Sequence, residues 1–329
     1  MDNNNFWQKR NVLVTGGNGF IGGALSRELV GQRANVTLIV RDWPKLGALE
    51  FLGLEGKVNI VKGSVADLEF ILRILAEYDI DAVFHLAAQA IVKIANASPL
   101  STFESNIKGT WTILEACRQF PQVKRIVVAS SDKAYGDQKQ LPYTEDTPLL
   151  GLSPYDASKA CADILARSFY HTYKLPLAVT RCANTYGEGD LNISRVIPAV
   201  IISGLKGESP VINNNGISIR DFLYIKDAVS AYLLLAQALD RKEIQGQPYN
   251  FGLNKPVTML DLANLILLLV GRSDIKPKVI SECKTSAEID QQSVSFEKAK
   301  TELGWEPKWS LEQGLKETIN WYKEHLREI

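Results

Sequence analysis

One segment near the start of the chain restricts the fold more than any other. The apolar run Asn11-Val-Leu-Val-Thr15 leads directly into Gly16-Gly-Asn-Gly-Phe-Ile-Gly22, and a helix-compatible stretch follows over residues 24–30. Glycines at these spacings suit a tight turn, close approach of backbone to a pyrophosphate, and close packing of helix on strand. The segment therefore predicts a strand, a phosphate-binding turn and a helix. The alternative is a structural turn that binds no nucleotide.

The first half of the chain repeats this alternation of strand and helix. Strands are predicted at Val12–Thr15, Val36–Val40, Asn59–Lys62, Ala82–Leu86, Ile126–Ser130 and Leu177–Arg181. The alternation favours an α/β fold, a doubly wound parallel sheet of the Rossmann type with helices on both faces.

The composition of the sequence changes after about residue 182, where glycine, proline and asparagine cluster. Two helices are predicted beyond this point, at 225–239 and 259–270. We therefore predict a dinucleotide-binding Rossmann domain over residues 1–182 and a smaller C-terminal α/β substrate domain over 183–329, with some chain crossing back.

The composition argues against several classes of partner and of site. The 37 basic and 37 acidic residues cancel, so neither nucleic acid nor a membrane surface is a favoured partner. The polar start and the absence of a long apolar stretch predict a cytoplasmic protein. Cysteines at 117, 161, 182 and 283 have no zinc or disulfide spacing, and three histidines are too few for a histidine triad or metal site. We expect no metal, and His85 as a hydrogen-bonded core residue.

Two short segments 24 residues apart carry the candidate chemistry. Ser131, Asp132 and Lys133 follow an apolar run, so they lie at the carboxyl end of a predicted parallel strand, where such sheets place ligands. Tyr155 and Lys159 share one face of a predicted helix, where an ammonium can stabilise a phenolate and bring the Tyr155 pKa toward neutrality. Tyr155 is thus a candidate proton acceptor, although this spacing also occurs by chance on exposed helices.

With these motifs in place, the chain resembles the extended short-chain dehydrogenase/reductases of the nucleotide-sugar epimerase/dehydratase family. Further landmarks occur in the family's order: His85-Leu-Ala-Ala-Gln89, Asn106-Ile-Lys-Gly-Thr110, Arg181-Cys-Ala-Asn184, Arg220-Asp-Phe222 and Leu303-Gly-Trp-Glu-Pro307. The resemblance covers nearly the whole length. It implies a tightly bound NAD or NADP that is regenerated in each turnover, and a nucleotide-diphosphate sugar as substrate. It also implies a homodimer packed through helices near residues 100–118 and 155–173.

Within that family, Asp132-Lys133 resembles the CDP-glucose 4,6-dehydratases more than the Asp-Glu pair of the dTDP-glucose type. The resemblance implies a 4,6-dehydratase that gives an NDP-4-keto-6-deoxyhexose. A 4-epimerase, which usually carries Ser or Thr without a following acid, is the first alternative. A non-catalytic dinucleotide-binding scaffold is the second, and Asp132-Lys133 would be a surface ion pair if neither residue were catalytic.

The resemblance also implies a role for each catalytic residue. Tyr155 would deprotonate the C4 hydroxyl, Ser131 would hold its oxygen, and Lys159 would support the phenolate and the cofactor ribose. Asp132 would protonate the departing C6 hydroxyl and Lys133 would take the C5 proton. Because a free lysine titrates near pH 10.4, the Lys133 role requires surroundings that favour the neutral amine.

The cofactor and substrate contacts depart from the family pattern at two places. Val40 occupies the position of the usual ribose-binding acid, so Arg41 would favour NADP while Asp42 could still reach the ribose, and the preference stays open. Ser64 stands where the family often has Asp. The predicted cofactor contacts are Gly16, Gly19, Phe20, Ile21, Gly22, Arg41, Asp42, Ser64, Val65, Leu86, Ala87, Ala88, Tyr155 and Lys159. The predicted substrate contacts are Gln89, Asn106, Asn184, Arg195 and Arg220. The two arginines would bind the diphosphate, unless they form structural ion pairs.

Overall fold

A seven-stranded parallel sheet organises the computed structural model, which describes residues 5–42, 47–213, 216–280 and 289–328. Within these ranges the strands are β1 (Asn11–Thr15), β2 (Asn35–Val40), β3 (Asn59–Lys62), β4 (Ala82–His85), β5 (Arg125–Ala129), β6 (Leu177–Cys182), β7 (Asn184–Tyr186), β8 (Val211–Ile212), β9 (Ile219–Arg220), β10 (Phe222–Tyr224), β11 (Pro248–Phe251), β12 (Val257–Thr258) and β13 (Lys278–Val279). The main sheet has the order β3-β2-β1-β4-β5-β6-β11, and every neighbouring pair in it is parallel. The six predicted strands are confirmed, with ends shifted by one residue where they differ.

Helices connect the strands on both faces of this sheet. They are α1 (Phe20–Gly31), α2 (Ala48–Phe51), α3 (Leu68–Glu77), α4 (Val92–Ala97), α5 (Pro99–Phe103), α6 (Gly109–Gln119), α7 (Pro154–Tyr173), α8 (Val196–Lys206), α9 (Ile225–Ala238), α10 (Met259–Val270) and α11 (Leu311–His325). The two helices predicted in the second half correspond to α9 and α10. Within the described ranges, none of the helices has the length and hydrophobicity that crossing a bilayer requires.

Two apolar cores lie on opposite faces of the sheet. Alternate residues of β1 separate between them, since Val12 and Val14 pack in one core and Leu13 in the other. The Leu13 core contains residues of α3, α6 and α7, while the other contains α1 and α9. Burial on both faces explains why these parallel strands are continuous apolar runs.

The second half of the chain returns to the main sheet. Strand β11 pairs with β6, and α9 packs against α1 and β5. Short two-stranded pairs, β7 with β10, β9 with β12 and β8 with β13, complete this half beside helices α8, α10 and α11. The predicted crossing of the chain is thus present, and a domain boundary at residue 182 stays a prediction.

Buried polar residues tie α7 to the sheet. Arg181 on β6 and Asp163 on α7 are fully buried, and the guanidinium donates to both carboxylate oxygens at 2.7 and 2.9 Å. The same guanidinium donates to the Tyr135 hydroxyl at 2.8 Å. Since both charges are out of water, removing one partner leaves the other uncompensated.

Replacing Asp163 with Asn tests the weight of this contact. We expect the free energy of unfolding to fall by about 3–5 kcal/mol, because Arg181 keeps a buried charge without its counter-charge. Urea denaturation measures the change. Glu77→Gln is the matched control, because Glu77 pairs with Arg73 on the exposed face of α3 and its loss costs less than about 1 kcal/mol. Equal losses in the two variants would contradict the prediction.

Candidate active site

A cleft of about 990 Å³ lies at the carboxyl ends of the parallel strands. Most residues predicted to act on cofactor or substrate line it: Gly16, Gly19, Phe20, Ile21, Gly22, Arg41, Asp42, Ser64, Val65, Leu86, Ala87, Ala88, Ser131, Asp132, Lys133, Tyr155, Lys159, Asn184, Arg195 and Arg220. The fold therefore brings the glycine turn, the end of β5, the start of α7 and the second half of the chain into one site. Its volume suits a small-molecule ligand.

The positions of Gly16 and Gly22 leave no space for a side chain. Gly16 has φ of +71°, and a Cβ on it would lie 2.9 Å from the Ala87 nitrogen. A Cβ on Gly22 would lie 2.2 Å from the Gly16 oxygen, and the Gly19 amide donates to that same oxygen at 2.9 Å. Helix α1 begins at Phe20, directly after Gly19, so its N-terminus is directed at the cleft. A closely packed turn at a helix N-terminus fits the pyrophosphate of a dinucleotide.

The end of β2 holds a partly neutralised arginine. The Arg41 Nε donates to Asp42 at 2.7 Å, and its Nη1 donates to the Ser105 hydroxyl at 3.0 Å. Both members of the ion pair are exposed at the rim of the cleft. The carboxylate of Asp42 therefore competes for the guanidinium with any phosphate that approaches it.

Helix α7 presents Tyr155 and Lys159 to the cleft. The helix starts at Pro154, and the Ser153 hydroxyl caps it by accepting from the Asp156 amide at 3.3 Å. Lys159 is buried, and its ammonium donates to the Ala129 carbonyl at the end of β5, at 2.7 Å. This contact fixes the first turns of α7 on the strand that precedes Ser131-Asp132-Lys133.

The pKa of Tyr155 corrects one expectation. Burial raises it to about 12, and a hydrogen bond with Ser131 opposes the rise only in part. Burial also lowers the pKa of Lys159 to about 8. The prediction that Lys159 lowers the Tyr155 pKa is therefore wrong for the protein without its cofactor. Desolvation dominates, and the Lys159 ammonium is directed at a backbone carbonyl.

Asp132 is buried beside the cleft. The Ser131 hydroxyl donates to its Oδ1 at 3.0 Å, while its Oδ2 has no hydrogen-bond partner among the residues that the structure describes. Burial raises the pKa of Asp132, against the opposing effects of Lys133 and Ser131. An exposed ion pair, the alternative for this segment, does not match a side chain that is 2 % exposed. A carboxyl in these surroundings is suited to donate a proton.

The three predicted substrate contacts that line the cleft also have contacts within the protein. The Asn184 amide donates to the Asp221 carbonyl at 3.2 Å, and Arg195 pairs with Asp190 at 3.1 Å. The Arg220 guanidinium donates to the Ile289 carbonyl at 2.6 Å. These contacts fix the side chains at the cleft wall, which is compatible with either the binding or the structural interpretation.

Asn106 and Gln89 do not line the cleft. Asn106 is 1 % exposed. Its side-chain Oδ1 accepts from the backbone N–H of Gln89 at 2.7 Å, and its Nδ2 donates to the Ser158 hydroxyl at 2.9 Å. The Gln89 side chain accepts from the Ile91 amide at 3.1 Å. Both side chains are engaged with protein groups, and direct substrate contact by this pair stays a prediction. They position the segment after β4 against α7.

His85 is the hydrogen-bonded core residue that the sequence predicts. Its Nδ1 lies 2.9 Å from the Thr15 hydroxyl, and its Nε2 lies 3.1 Å from the Thr110 hydroxyl. Burial lowers the pKa of His85 to about 3, so the ring is neutral. Of the cysteines, 117 and 182 are buried and 161 is partly buried, all as free thiols, whereas 283 lies outside the described residues.

Sequence reasoning missed two polar residues near Lys133. Asp156 is buried, and the positive charge of Lys133 acts on its carboxyl. Its position directly after Tyr155 in the sequence could have indicated that it lies near the site. Gln292 is fully buried and its Oε1 lies 3.5 Å from the Lys133 amine. Because the two residues are 159 positions apart, no sequence pattern joins Gln292 to Lys133.

The doubly wound sheet, the glycine turn and the Tyr155–Lys159 pair define an extended short-chain dehydrogenase/reductase. The model of the GDP-mannose 4,6 dehydratase family matches residues 13–318. The chain therefore belongs to that family, whose dehydratases and structurally similar epimerases act on nucleotide sugars.

Two curated relatives cover nearly the whole chain. A dTDP-glucose 4,6-dehydratase of Xanthomonas campestris pv. campestris is 33% identical over 94% of this chain and 92% of its own length. A CDP-glucose 4,6-dehydratase of Salmonella typhimurium is 30% identical over 99% of this chain and 94% of its own length. The relatives thus share the reaction and differ in the nucleotide.

Solved structures include both reaction types. A dTDP-glucose 4,6-dehydratase from Bacillus anthracis, in complex with NAD, has a TM-score of 0.85 at 30% identity and covers 97% of this chain and 98% of its own. A UDP-glucose 4-epimerase from Thermotoga maritima, with UDP-glucose, has a TM-score of 0.87 at 31% identity and covers 96% and 99%. Overall fold therefore does not separate a dehydratase from an epimerase.

Gly22→Ala tests the dinucleotide turn. We expect NAD binding to weaken by about tenfold or more, equivalent to at least about 1.4 kcal/mol, because the added Cβ collides with the Gly16 carbonyl. Fluorescence titration or calorimetry with NAD measures the dissociation constant. Gly31→Ala is the matched control in the same helix, since a Cβ there meets nothing within 4 Å. Wild-type affinity in Gly22→Ala would contradict the assignment of the turn.

Proposed function

We propose that the protein is a NAD-dependent nucleotide-sugar 4,6-dehydratase that forms an NDP-4-keto-6-deoxyhexose from an NDP-hexose. One observation carries this proposal: the buried Asp132, whose pKa is raised and whose Oδ2 has no partner in the described part of the chain, lines the same cleft as Lys133 and Tyr155. An oxidation at C4 alone requires no such acid. Loss of a hydroxyl from C6 does require one, because hydroxide is a poor leaving group until it is protonated.

NAD is the cofactor that the cleft favours. The glycine turn suits the pyrophosphate. Asp42 forms an ion pair with the Arg41 guanidinium, which a 2′-phosphate of NADP would need as its own partner. The similar dehydratase structure from Bacillus anthracis has NAD bound. When bound, NAD accepts a hydride from C4 and returns it to C6, and its positive ring favours the Tyr155 phenolate that burial opposes.

The first step that the residues perform is removal of the C4 hydroxyl proton. Tyr155 accepts this proton, and Ser131, which hydrogen-bonds to Tyr155, holds the same oxygen as it becomes a ketone. Lys159 keeps the start of α7 fixed on the end of β5 through the Ala129 carbonyl. The resulting C4 ketone acidifies the hydrogen on C5.

Elimination of water uses the other two residues. Lys133 takes the C5 proton, and the electron pair of that C–H bond forms the C5–C6 double bond. The bond from C6 to its hydroxyl breaks at the same time, and Asp132 gives the leaving oxygen its proton. Return of hydride to C6 and of a proton to C5 completes a product that differs from the substrate by one water.

CDP-glucose is the substrate that we propose first. The Asp132-Lys133 pair supports it, as does the Salmonella relative that covers 99% of this chain. dTDP-glucose is the competing substrate, since the Xanthomonas relative is the more similar of the two at 33% identity. In either case Arg195 and Arg220 on the cleft wall are the proposed partners of the diphosphate.

A 4-epimerase is the alternative function, favoured by the likeness to the Thermotoga maritima structure. An epimerase would use Tyr155, Ser131 and Lys159 in the same way. It would leave Asp132 and Lys133 without a chemical role. A non-catalytic dinucleotide-binding scaffold is the further alternative, and NAD binding without turnover of any nucleotide sugar would favour it.

Asp132→Asn separates these functions. We expect the variant to oxidise C4 but to lose water elimination by about 100-fold or more, because an amide cannot supply the proton. Mass spectrometry of the product from CDP- and dTDP-glucose measures water loss. Asp137→Asn, an exposed acid in the same segment, is the matched control. Unimpaired water loss in Asp132→Asn would refute the assigned role, and an unchanged product mass with a shifted C4 stereocentre in the wild type would make the enzyme an epimerase.

We also propose a homodimer packed through α6 and α7. These helices pack side by side, and each carries an apolar residue in water: Trp111 is 44 % exposed and Ile164 is 54 % exposed. Leu100 on α5 is 81 % exposed. A second copy of the chain would cover these side chains and gain their burial energy.

Location in the cytoplasm stays a prediction.

Trp111→Glu tests the dimer. We expect the variant to elute as a monomer, because a carboxylate would have to be buried in the interface. Size-exclusion chromatography with light scattering measures the mass. Leu268→Glu on α10, also an exposed apolar residue, is the matched control and should leave the dimer intact. A monomeric wild type would contradict the proposal.

A further inference from the structure

Gln292 is a buried amide with one side-chain contact that bears on the chemistry. Its side chain is fully buried, and its Oε1 accepts from the Lys133 amine at 3.5 Å, at the long end of hydrogen-bond distances. Its Nε2 is buried without a hydrogen-bond partner among the residues that the structure describes. Leaving an amide N–H unpaired costs about 1–3 kcal/mol, so stability alone does not explain a glutamine here.

The backbone around Gln292 is firmly held. Its amide donates to the Ile219 carbonyl at 3.0 Å, next to Arg220 of the cleft wall. On one side of it, the Tyr143 hydroxyl donates to the Gln291 carbonyl at 3.2 Å. On the other side, the Ser293 carbonyl accepts from the Tyr143 amide at 2.8 Å. The side chain of Gln292 therefore starts from a fixed point and reaches Lys133 with little freedom.

Charged groups surround the Lys133 amine. The positive charge of Lys133 lowers the pKa of Asp132 and of Asp156, although burial raises both overall, and Arg220 acts on the same two carboxyls. The amine thus has charged neighbours from the end of β5, from α7 and from β9. A base for the C5 proton must have a free lone pair directed at C5 when it acts, so the position of the amine matters.

We propose that Gln292 is a positioning residue that holds the Lys133 amine for removal of the C5 proton. This inference rests on the proposed dehydratase function. An amide suits the task because its oxygen accepts an N–H from the ammonium and from the neutral amine alike, which leaves the lone pair of the neutral amine free to take the C5 proton. Gln292 can therefore hold Lys133 before and after proton transfer. A carboxylate could also accept from the amine, but it would place a negative charge beside it.

The first test uses Gln292→Met, which keeps the volume of the side chain, and Gln292→Glu. In single turnovers of the holoenzyme with the NDP-hexose, C4 oxidation is followed by nicotinamide absorbance and elimination by product mass. We expect Gln292→Met to slow elimination by about 10- to 100-fold and to leave C4 oxidation unchanged, because a misplaced base loses its alignment with C5. We expect Gln292→Glu to move the acid limb of the elimination rate to higher pH. Gln291→Leu, an exposed neighbouring glutamine, should match the wild type.

Two results would overturn the proposal. Elimination at the wild-type rate in Gln292→Met would show that Lys133 needs no holder. Equal slowing of oxidation and elimination would show a general structural defect.

A second measurement does not depend on the reaction. Acetylation of Lys133 by acetic anhydride, quantified in peptides by mass spectrometry, should increase in Gln292→Met and not in Gln291→Leu, because the amine is released from its contact. Unchanged labelling would overturn the proposal. A wild type that eliminates water from no NDP-hexose would refute the dehydratase function, while the labelling would still decide whether Gln292 holds Lys133.

Discussion

The active-site geometry depends on one buried cation, the guanidinium of Arg181. It pairs with Asp163 on α7 and donates to the Tyr135 hydroxyl, which ends the short helical turn containing Asp132 and Lys133. The Tyr135 hydroxyl in turn donates to Asn250 on β11 at 2.7 Å. One side chain thus connects α7, the catalytic turn and the strand that the second half of the chain adds to the sheet. Because the charges lie out of water, these connections are rigid and costly to break.

Burial also sets the proton chemistry. It raises the pKa of Asp132, raises that of Tyr155 to about 12 and lowers that of Lys159 to about 8, so burial shifts each group toward its neutral form. A carboxyl with a raised pKa is better suited than an ordinary aspartate to give a proton to a leaving hydroxyl. The Tyr155 phenol, by contrast, must first lose its own proton before it can accept one, and the positive ring of bound NAD would favour that phenolate. In the proposed enzyme, cofactor binding is therefore a condition for the first step, and the acid of the second step is prepared in advance.

Local signals in the sequence were sufficient for six of the seven strands of the main sheet and for much of the cleft, whereas β11 was not predicted. The run before Gly16 and the segments at Ser131 and Tyr155 each combine a strand or helix pattern with chemistry at its end, and parallel sheets bring such ends together. Strands such as β8 and β13 have only two residues each and carry no periodic pattern. The predicted substrate contact of Asn106 stays a prediction, because an asparagine suits a ligand and a backbone segment equally well, and its contacts with Gln89 and Ser158 exist only in the folded chain. Gln292 could not be found, since its relation to Lys133 exists only in the folded chain.

The central claim is that Asp132 and Lys133 add elimination of water to an oxidation at C4. Its most direct test is mass spectrometry of the product formed by the wild-type holoenzyme from CDP-glucose, and separately from dTDP-glucose, in deuterated water. The account predicts loss of one water and incorporation of one deuterium at C5, where Lys133 exchanges its proton with solvent. A product of unchanged mass and inverted configuration at C4 would contradict it.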